Sequence, residues 1–301
     1  MLWIVAAFVS AALLGLYDAM KKRSLRGNAV IPVLFTNTLF CSLIFMPGVV
    51  LSLTGHVPSC SAFYIPPISL QEHGLIVIKA LIVLSSWILG YFAIAHLPLT
   101  IVGPINATRP VLTIVGAMII FGESLNGWQW AGVLLALVAL FLLSRSGKKE
   151  GIDFRHDRWI WMLGGAALLG ACSGLYDKWL IADAGVHRMA VQGWYNFYQC
   201  LMMLGVLIVL WWPRRSRTQR FEWRWSIVLI SVFITLADLA YFYALSMDGA
   251  MVSVVSLARR GSVVVSFLCG ALMFGERNLK SKALDLLLVL LGMVCLYLGT
   301  V

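Results

Sequence analysis

Three arginines stand where arginine is costly. Arg109, Arg259 and Arg260 fall inside long apolar runs, each about ten residues or ~15 Å from a helix end at 1.5 Å of rise per residue. Ionisable groups at such depth in a membrane mark candidate sites. Guanidinium is planar and forked, so it suits a carboxylate or phosphate held by two parallel hydrogen bonds. The ligand chemistry these residues point to is a small anion or zwitterion. Their carboxylate counterparts are Asp18, Asp177 and Asp238. Asp238 shares the depth of Arg259 and Arg260, so a pair between it and one of them is expected. Arg109 has no such neighbour, because the facing stretch offers Ser85, Ser86 and Trp87. Asp238 is the deepest carboxylate and the leading candidate to carry a coupling proton. Asp18 and Asp177 lie near Lys21, Lys22 and Lys178, which fits helix-end ion pairs, with a gate or proton site as the sharper reading.

Around these charges lie amides and aromatics. Trp87, Tyr91, Trp194, Tyr195, Asn196, Gln199, Tyr241 and Tyr243 either pack as interface anchors or line a cavity of mixed polarity. Asn106 sits between Pro104 and Pro110, and Pro110 cannot donate to the Asn106 carbonyl. Gly261 follows Arg260. Helices interrupted at matching places in two halves of a chain are the best sequence pointer to a transport site. Trp87, Tyr91, Asn106, Trp194, Asn196 and Tyr241 are therefore grouped with the arginines as candidate substrate contacts, and Asp18, Asp177 and Asp238 as coupling or gating groups.

The elements that must hold these residues are membrane helices. Of the 301 residues, 61% are apolar and only 12% are charged, and mean hydropathy is +0.90. A soluble domain is about a quarter charged, so no water-soluble fold of this size would hide so much apolar surface. In lipid the backbone must bond internally, as helix or closed barrel. Apolar runs near ~20 residues without period-2 alternation select helices. Ten spans are expected, near 2–20, 29–53, 74–97, 99–121, 128–144, 159–182, 190–212, 226–245, 250–274 and 283–300. The first lacks a basic segment before it, unlike a cleaved signal peptide, and reads as a retained helix.

The chain repeats itself. Gly15-Leu16-Tyr17-Asp18 recurs as Gly174-Leu175-Tyr176-Asp177, and Ala29-Val30 as Ala190-Val191. Arg109-Pro110 has its counterpart in Arg260-Gly261, and Phe121-Gly122-Glu123 in Phe274-Gly275-Glu276. Four matches in one order indicate two copies: residues 1–144 and 159–301, joined by a polar linker over 145–158. Five helices per copy is an odd number, so the copies must insert with opposite orientation. The charges agree. Lys and Arg crowd the loops after helices 1, 5, 7 and 9, whereas the opposite loops hold only Arg188. Positive loops stay in the cytoplasm, which places both termini outside. The net charge of +10 is explained in the same way, without nucleic acid. Small-xxx-small pairs (Gly170 with Gly174, Ala11 with Gly15) serve close helix packing. Glu123 and Glu276 read as caps or loop ion pairs.

Two five-helix halves, with Arg109-Pro110 leading to Phe121-Gly122-Glu123 and Arg259-Arg260 leading to Phe274-Gly275-Glu276, resemble EamA-type members of the drug/metabolite transporter superfamily. The resemblance covers nearly the whole chain. It implies secondary transport of metabolites by alternating access. Arg259-Arg260 before Gly-Ser-Val-Val-Val-Ser is also similar to the basic pair on the ninth helix of plastid sugar-phosphate translocators, where it grips phosphate. The chain departs from the family in orientation, since members are usually drawn with both termini in the cytoplasm.

The expectation is an all-α membrane protein of ten helices in two inverted five-helix repeats. It moves a small anionic or zwitterionic solute through the bacterial inner membrane, with the lipid bilayer as its surroundings and a homodimer as a candidate assembly. Efflux of neutral, drug-like or lipid-like compounds is the second reading. A non-transporting scaffold or enzyme is the third. No Walker A, GxSxG, HExxH or paired-cysteine pattern is present, so no catalytic residue, cofactor or metal is assigned. Cys41, Cys172, Cys200, Cys269 and Cys295 sit in apolar runs, and Cys60 is alone in a polar loop.

Overall fold

The computed structural model describes all residues except 1, 59–63, 110, 114, 117–125, 149–151, 181–183, 217, 247–257, 260, 277–278 and 300–301. Arg260, Pro110, Phe121, Gly122, Glu123 and Cys60 thus lie outside the described residues. The rest is helical: α1 (Leu2–Leu25), α2 (Val30–Leu53), α3 (Leu70–His96), α4 (Leu99–Ala107), α5 (Gly127–Lys148), α6 (Arg158–Lys178), α7 (Arg188–Val206), α8 (Trp225–Ser246), α9 (Ser262–Phe274) and α10 (Leu279–Leu298). Past Val206, α7 runs on as a π turn (Leu207–Trp211) and a 3-10 turn (Trp212–Arg214).

Local sequence sets the helix ends. Ser69 and Glu72 form a reciprocal capping box at the start of α3, and Asp157 accepts from the Trp159 amide at the start of α6. Gly275 ends α9 at φ +60°, a conformation that glycine adopts without strain. Thr108 stops α4: its amide and hydroxyl both turn back onto the Ile105 carbonyl, at 3.2 and 2.7 Å. Helical turns resume at Arg109.

Among the described residues seven helices are long and apolar enough to cross a membrane: α1, α2, α3, α5, α6, α7 with its continuation, and α10. The expected spans 99–121 and 250–274 each run through residues outside the described ones. The first is cut at Thr108, and the second is interrupted by a turn at Gly261. Trp225–Tyr241 of α8 and Ser262–Phe274 of α9 are shorter apolar stretches among the described residues.

The principal packing runs between the two sequence halves. α1 lies on α8 and α3 on α6; α2 packs on α7, α4 on α9, and α5 on α10. Secondary contacts join α1 to α9, α4 to α6, α3 to α7 and α2 to α8. Exchanging each helix for the one five places along leaves these nine pairings unchanged; α4 also packs on α10, without a matching α5–α9 pairing among the described residues. Association in lipid depends on close van der Waals approach, and glycines supply it. A Cβ on Gly132 of α5 would stand 2.7 Å from the Gly292 carbonyl of α10, and one on Gly292 would stand 3.0 Å from the Gly132 carbonyl.

The turns collect at two ends. At one, the α1–α2 turn meets the α7–α8 loop: Arg224 donates to the Arg26 and Arg23 carbonyls at 2.7 and 3.2 Å, and Asn28 and Glu222 exchange two hydrogen bonds. The α3–α4 turn is there too, with His96 stacked on Trp159 at 3.5 Å. At the other end Trp3 packs near Tyr241, Tyr198 bonds His73 at 2.7 Å, and Asn126 donates to the Gly299 carbonyl at 2.6 Å.

Candidate functional site

A cavity of about 230 Å³ opens between α1, α3, α4 and α9. α1 supplies Tyr17, Asp18 and Lys21, α3 supplies Trp87 and Tyr91, and α4 with the turn after it supplies Asn106 and Arg109. Two glycines make the arrangement possible. Gly15 lies flush against Val265, with the Ser262 carbonyl 3.0 Å from where its Cβ would be, so α1 can bring Tyr17 and Asp18 up against α9. Gly170 of α6 lies under the Arg109 guanidinium; a Cβ there would be 3.1 Å from Cζ and Nη1. The break at Thr108 puts Arg109 at the end of a helix segment rather than within a continuous helix, so its side chain reaches both the cavity and Gly170.

The polar atoms of the wall are incompletely satisfied. Arg109 Nε and Asn106 Oδ1 are buried without hydrogen-bond partners among the described residues, and the Tyr91 hydroxyl faces that of Tyr17. A buried polar atom left unpaired costs about 1–3 kcal/mol, so two on one cavity call for a ligand or water between them. Among the described residues no carboxylate pairs with Arg109. Lys21, by contrast, is 2.9 Å from Asp18, and its ammonium lies 4.2 Å from the Tyr17 ring centre and 5.3 Å from that of Tyr91. The lining charges are therefore one matched pair and one unmatched guanidinium.

The cavity brings together Asp18, Trp87, Tyr91, Asn106 and Arg109 from the residues read off the sequence. The others lie elsewhere. Arg259 pairs with Asp238 and stacks at 4.5 Å over Tyr241, so the expected arginine–aspartate pair forms away from the cavity wall. Trp194 packs against His73 at 4.8 Å and Tyr198 at 6.1 Å, and Asn196 donates to the Gln192 carbonyl at 2.8 Å. Asp177 pairs with Lys79 of α3, with Tyr195 5.2 Å from that ammonium; the side chain of Lys178, the neighbour named from the sequence, lies outside the described residues.

Sequence reasoning passed over Lys79, although a lone lysine in the apolar run from Leu75 to Leu84 was a visible signal. It counted Lys282 among the basic loop residues, and Lys21 and Lys22 both there and beside Asp18. Lys21 faces the cavity; Lys22 donates to the Ile94 and Leu97 carbonyls at the end of α3. Lys282 is fully buried and donates to Thr100 Oγ1 at 2.9 Å. Glu276 is a cap in trans: its carboxylate accepts from the Leu99 and Thr100 amides at 2.7 and 2.9 Å and from the Thr100 hydroxyl, at the first turn of α4.

A family model of EamA-like transporters matches this chain twice, over residues 1–145 and 158–298. The chain belongs to the EamA-like transporter family. An EamA-like transporter is a multi-pass membrane protein that moves solutes, and the resemblance read from the arginine and Phe-Gly-Glu motifs holds. One similar solved crystal structure shares the fold, at 16% identity and a TM-score of 0.58, across 97% of this chain and 96% of that one. No curated protein sequence matches.

Proposed function

We propose that this EamA-like protein is a secondary transporter of a small anionic or zwitterionic metabolite, bound at Arg109. The observation that carries the reading is an arginine on the cavity wall whose Nε is buried and unpaired and which has no carboxylate partner among the described residues, beside an Asn106 Oδ1 that also lacks a partner. A carboxylate or phosphate would satisfy Arg109 through its fork. A neutral, lipid-like compound would leave that charge unpaired. Trp87 and the methylene-bearing wall then contact the apolar part of the solute.

The halves 1–144 and 159–301 are read as inverted copies that rock about this cavity. Nine helix pairings that map onto one another under exchange of the halves support the symmetry, and so does the twofold match of the family model. Contact between the α1–α2 turn and the α7–α8 loop supports a single basic face, read as cytoplasmic, with both termini on the other side in the plasma membrane. Asp18, the carboxylate on the cavity, is the coupling group in this reading. Asp238 and Asp177 hold helices together.

Reconstituted uptake of a panel of radiolabelled carboxylates and phosphates tests this. Arg109→Ala should lower flux of the accepted solute by more than 100-fold while the protein stays monodisperse in detergent, since a lost charge-assisted fork is worth about 3 kcal/mol or more. Arg109→Lys should retain part of it. Asp18→Asn should leave exchange of the solute across the bilayer but abolish its acceleration by a proton gradient. Wild-type flux in Arg109→Ala would sink the assignment.

A further inference from the structure

The loop between α7 and α8 concentrates residues that the transport cavity does not use. Over 207–225 it carries Trp211, Trp212, Trp223 and Trp225 together with five arginines, and Glu222 is its sole carboxylate. Its described part is built, not loose. Asn28 and Glu222 exchange two hydrogen bonds, Arg224 binds the Glu222 carboxylate and the Arg23 and Arg26 carbonyls, and Trp223 lies 6.3 Å from Phe40 of α2. Glu222 is thereby neutralised from within. Arg23 and Arg26 on the adjoining turn, and Arg214, Arg215 and Arg220 on the loop, remain exposed with no carboxylate among the described residues beside them.

The approach to this patch is apolar. Where α7 widens into its π turn, Ile208 and Val209 are 55% and 69% exposed, and they lead directly to Trp212, itself 56% exposed. Arg215 stacks on Trp212 at 4.5 Å. An outward apolar strip, an amphipathic indole and a cluster of unneutralised guanidinium groups follow one another along the chain. That sequence mirrors a phospholipid from acyl chain through glycerol to headgroup.

We propose that the α7–α8 loop and the α1–α2 turn together form a binding site for an anionic glycerophospholipid, with Arg214, Arg215 and Arg220 on the phosphodiester and Trp212 at the glycerol level. Guanidinium forks suit the phosphate oxygens, and a net positive surface favours phosphatidylglycerol over a zwitterionic lipid. The site is distinct from the Arg109 cavity and does not depend on what that cavity carries.

Native mass spectrometry of the full-length protein, titrated with phosphatidylglycerol and separately with phosphatidylcholine, tests it. Phosphatidylglycerol should be retained at least tenfold more tightly. The triple variant Arg214→Gln, Arg215→Gln, Arg220→Gln should bind it on the order of 100-fold more weakly, from about 1 kcal/mol per basic residue near an anionic lipid surface. Arg220→Gln alone, at an exposed loop position, should weaken it roughly fivefold on the same scale and serves if the triple variant does not fold. Equal retention of the two lipids, unchanged binding in these variants, or displacement of the lipid by millimolar inorganic phosphate would each overturn the proposal.

Discussion

Arg109 and Gly170 form one functional unit across α4 and α6. The guanidinium occupies the space that any side chain at position 170 would fill. Gly170→Ala therefore pushes the fork a few tenths of an ångström toward the cavity without breaking a backbone contact. The expected outcome is a several-fold rise in KM for the transported solute, with melting temperature within about 2 °C of wild type, since the clash is with the far end of a flexible chain. Kinetics in proteoliposomes and a thermal melt check the two halves of that statement. Gly174, which shares the small-xxx-small motif, has open space around its missing Cβ. Position 174 should thus accept alanine with neither change. The motif was read as packing alone. The structure divides it, because spacing on a helix face cannot reveal that a side chain from another helix rests on one glycine and not the other.

At the scale of helices, the short α4 is held from the opposite half of the chain. Its first-turn amides would be orphaned after Pro98, and the Glu276 carboxylate accepts two of them as well as the Thr100 hydroxyl, to which Lys282 also donates. Glu276→Ala should lower unfolding stability by about 1–2 kcal/mol, as loss of a good cap does. It should also reduce transport, because α4 carries Asn106 and leads to Arg109. Glu276→Gln, which keeps the shape and one acceptor, should recover most of the stability. A melt of the three proteins in one detergent reads this directly; equal melting temperatures would show that the cap is idle. That Glu276 ends one repeat and stabilises the start of a helix in the other was outside what the sequence could tell. The Phe-Gly-Glu motif marked the residue, but its partners lie 176 and 177 positions away.

For the molecule as a whole, class and repeat were legible because hydropathy and charge act through solvent and need no tertiary contact. Apolar runs must be helical in lipid, and the recurrence of Gly-Leu-Tyr-Asp and Phe-Gly-Glu needed only reading. The cavity was half legible. Arg109, Asn106, Trp87 and Tyr91 were found through cost and context, whereas Trp194, Asn196, Tyr241 and Arg259 shared their residue types but are turned to other partners. Depth along a helix follows from counting residues; the face a side chain presents depends on which helix packs against it, and that was not available from one chain. Lys79 was missed for the same reason, and the Asp18–Lys21 pair was expected but not its place on the cavity wall. The central claim is that a small anion binds against Arg109. Thermal unfolding of the purified protein against a panel of anionic, zwitterionic and neutral metabolites, run in parallel with Arg109→Ala and Asp238→Asn, tests it most directly. A solute at a hundred times its Kd stabilises the folded state by about 2.7 kcal/mol, enough to read as a shift of a few degrees. The account predicts stabilisation by anions or zwitterions in the wild type and in Asp238→Asn, and none in Arg109→Ala; stabilisation by neutral compounds alone, or an anion effect that survives in Arg109→Ala, would contradict it.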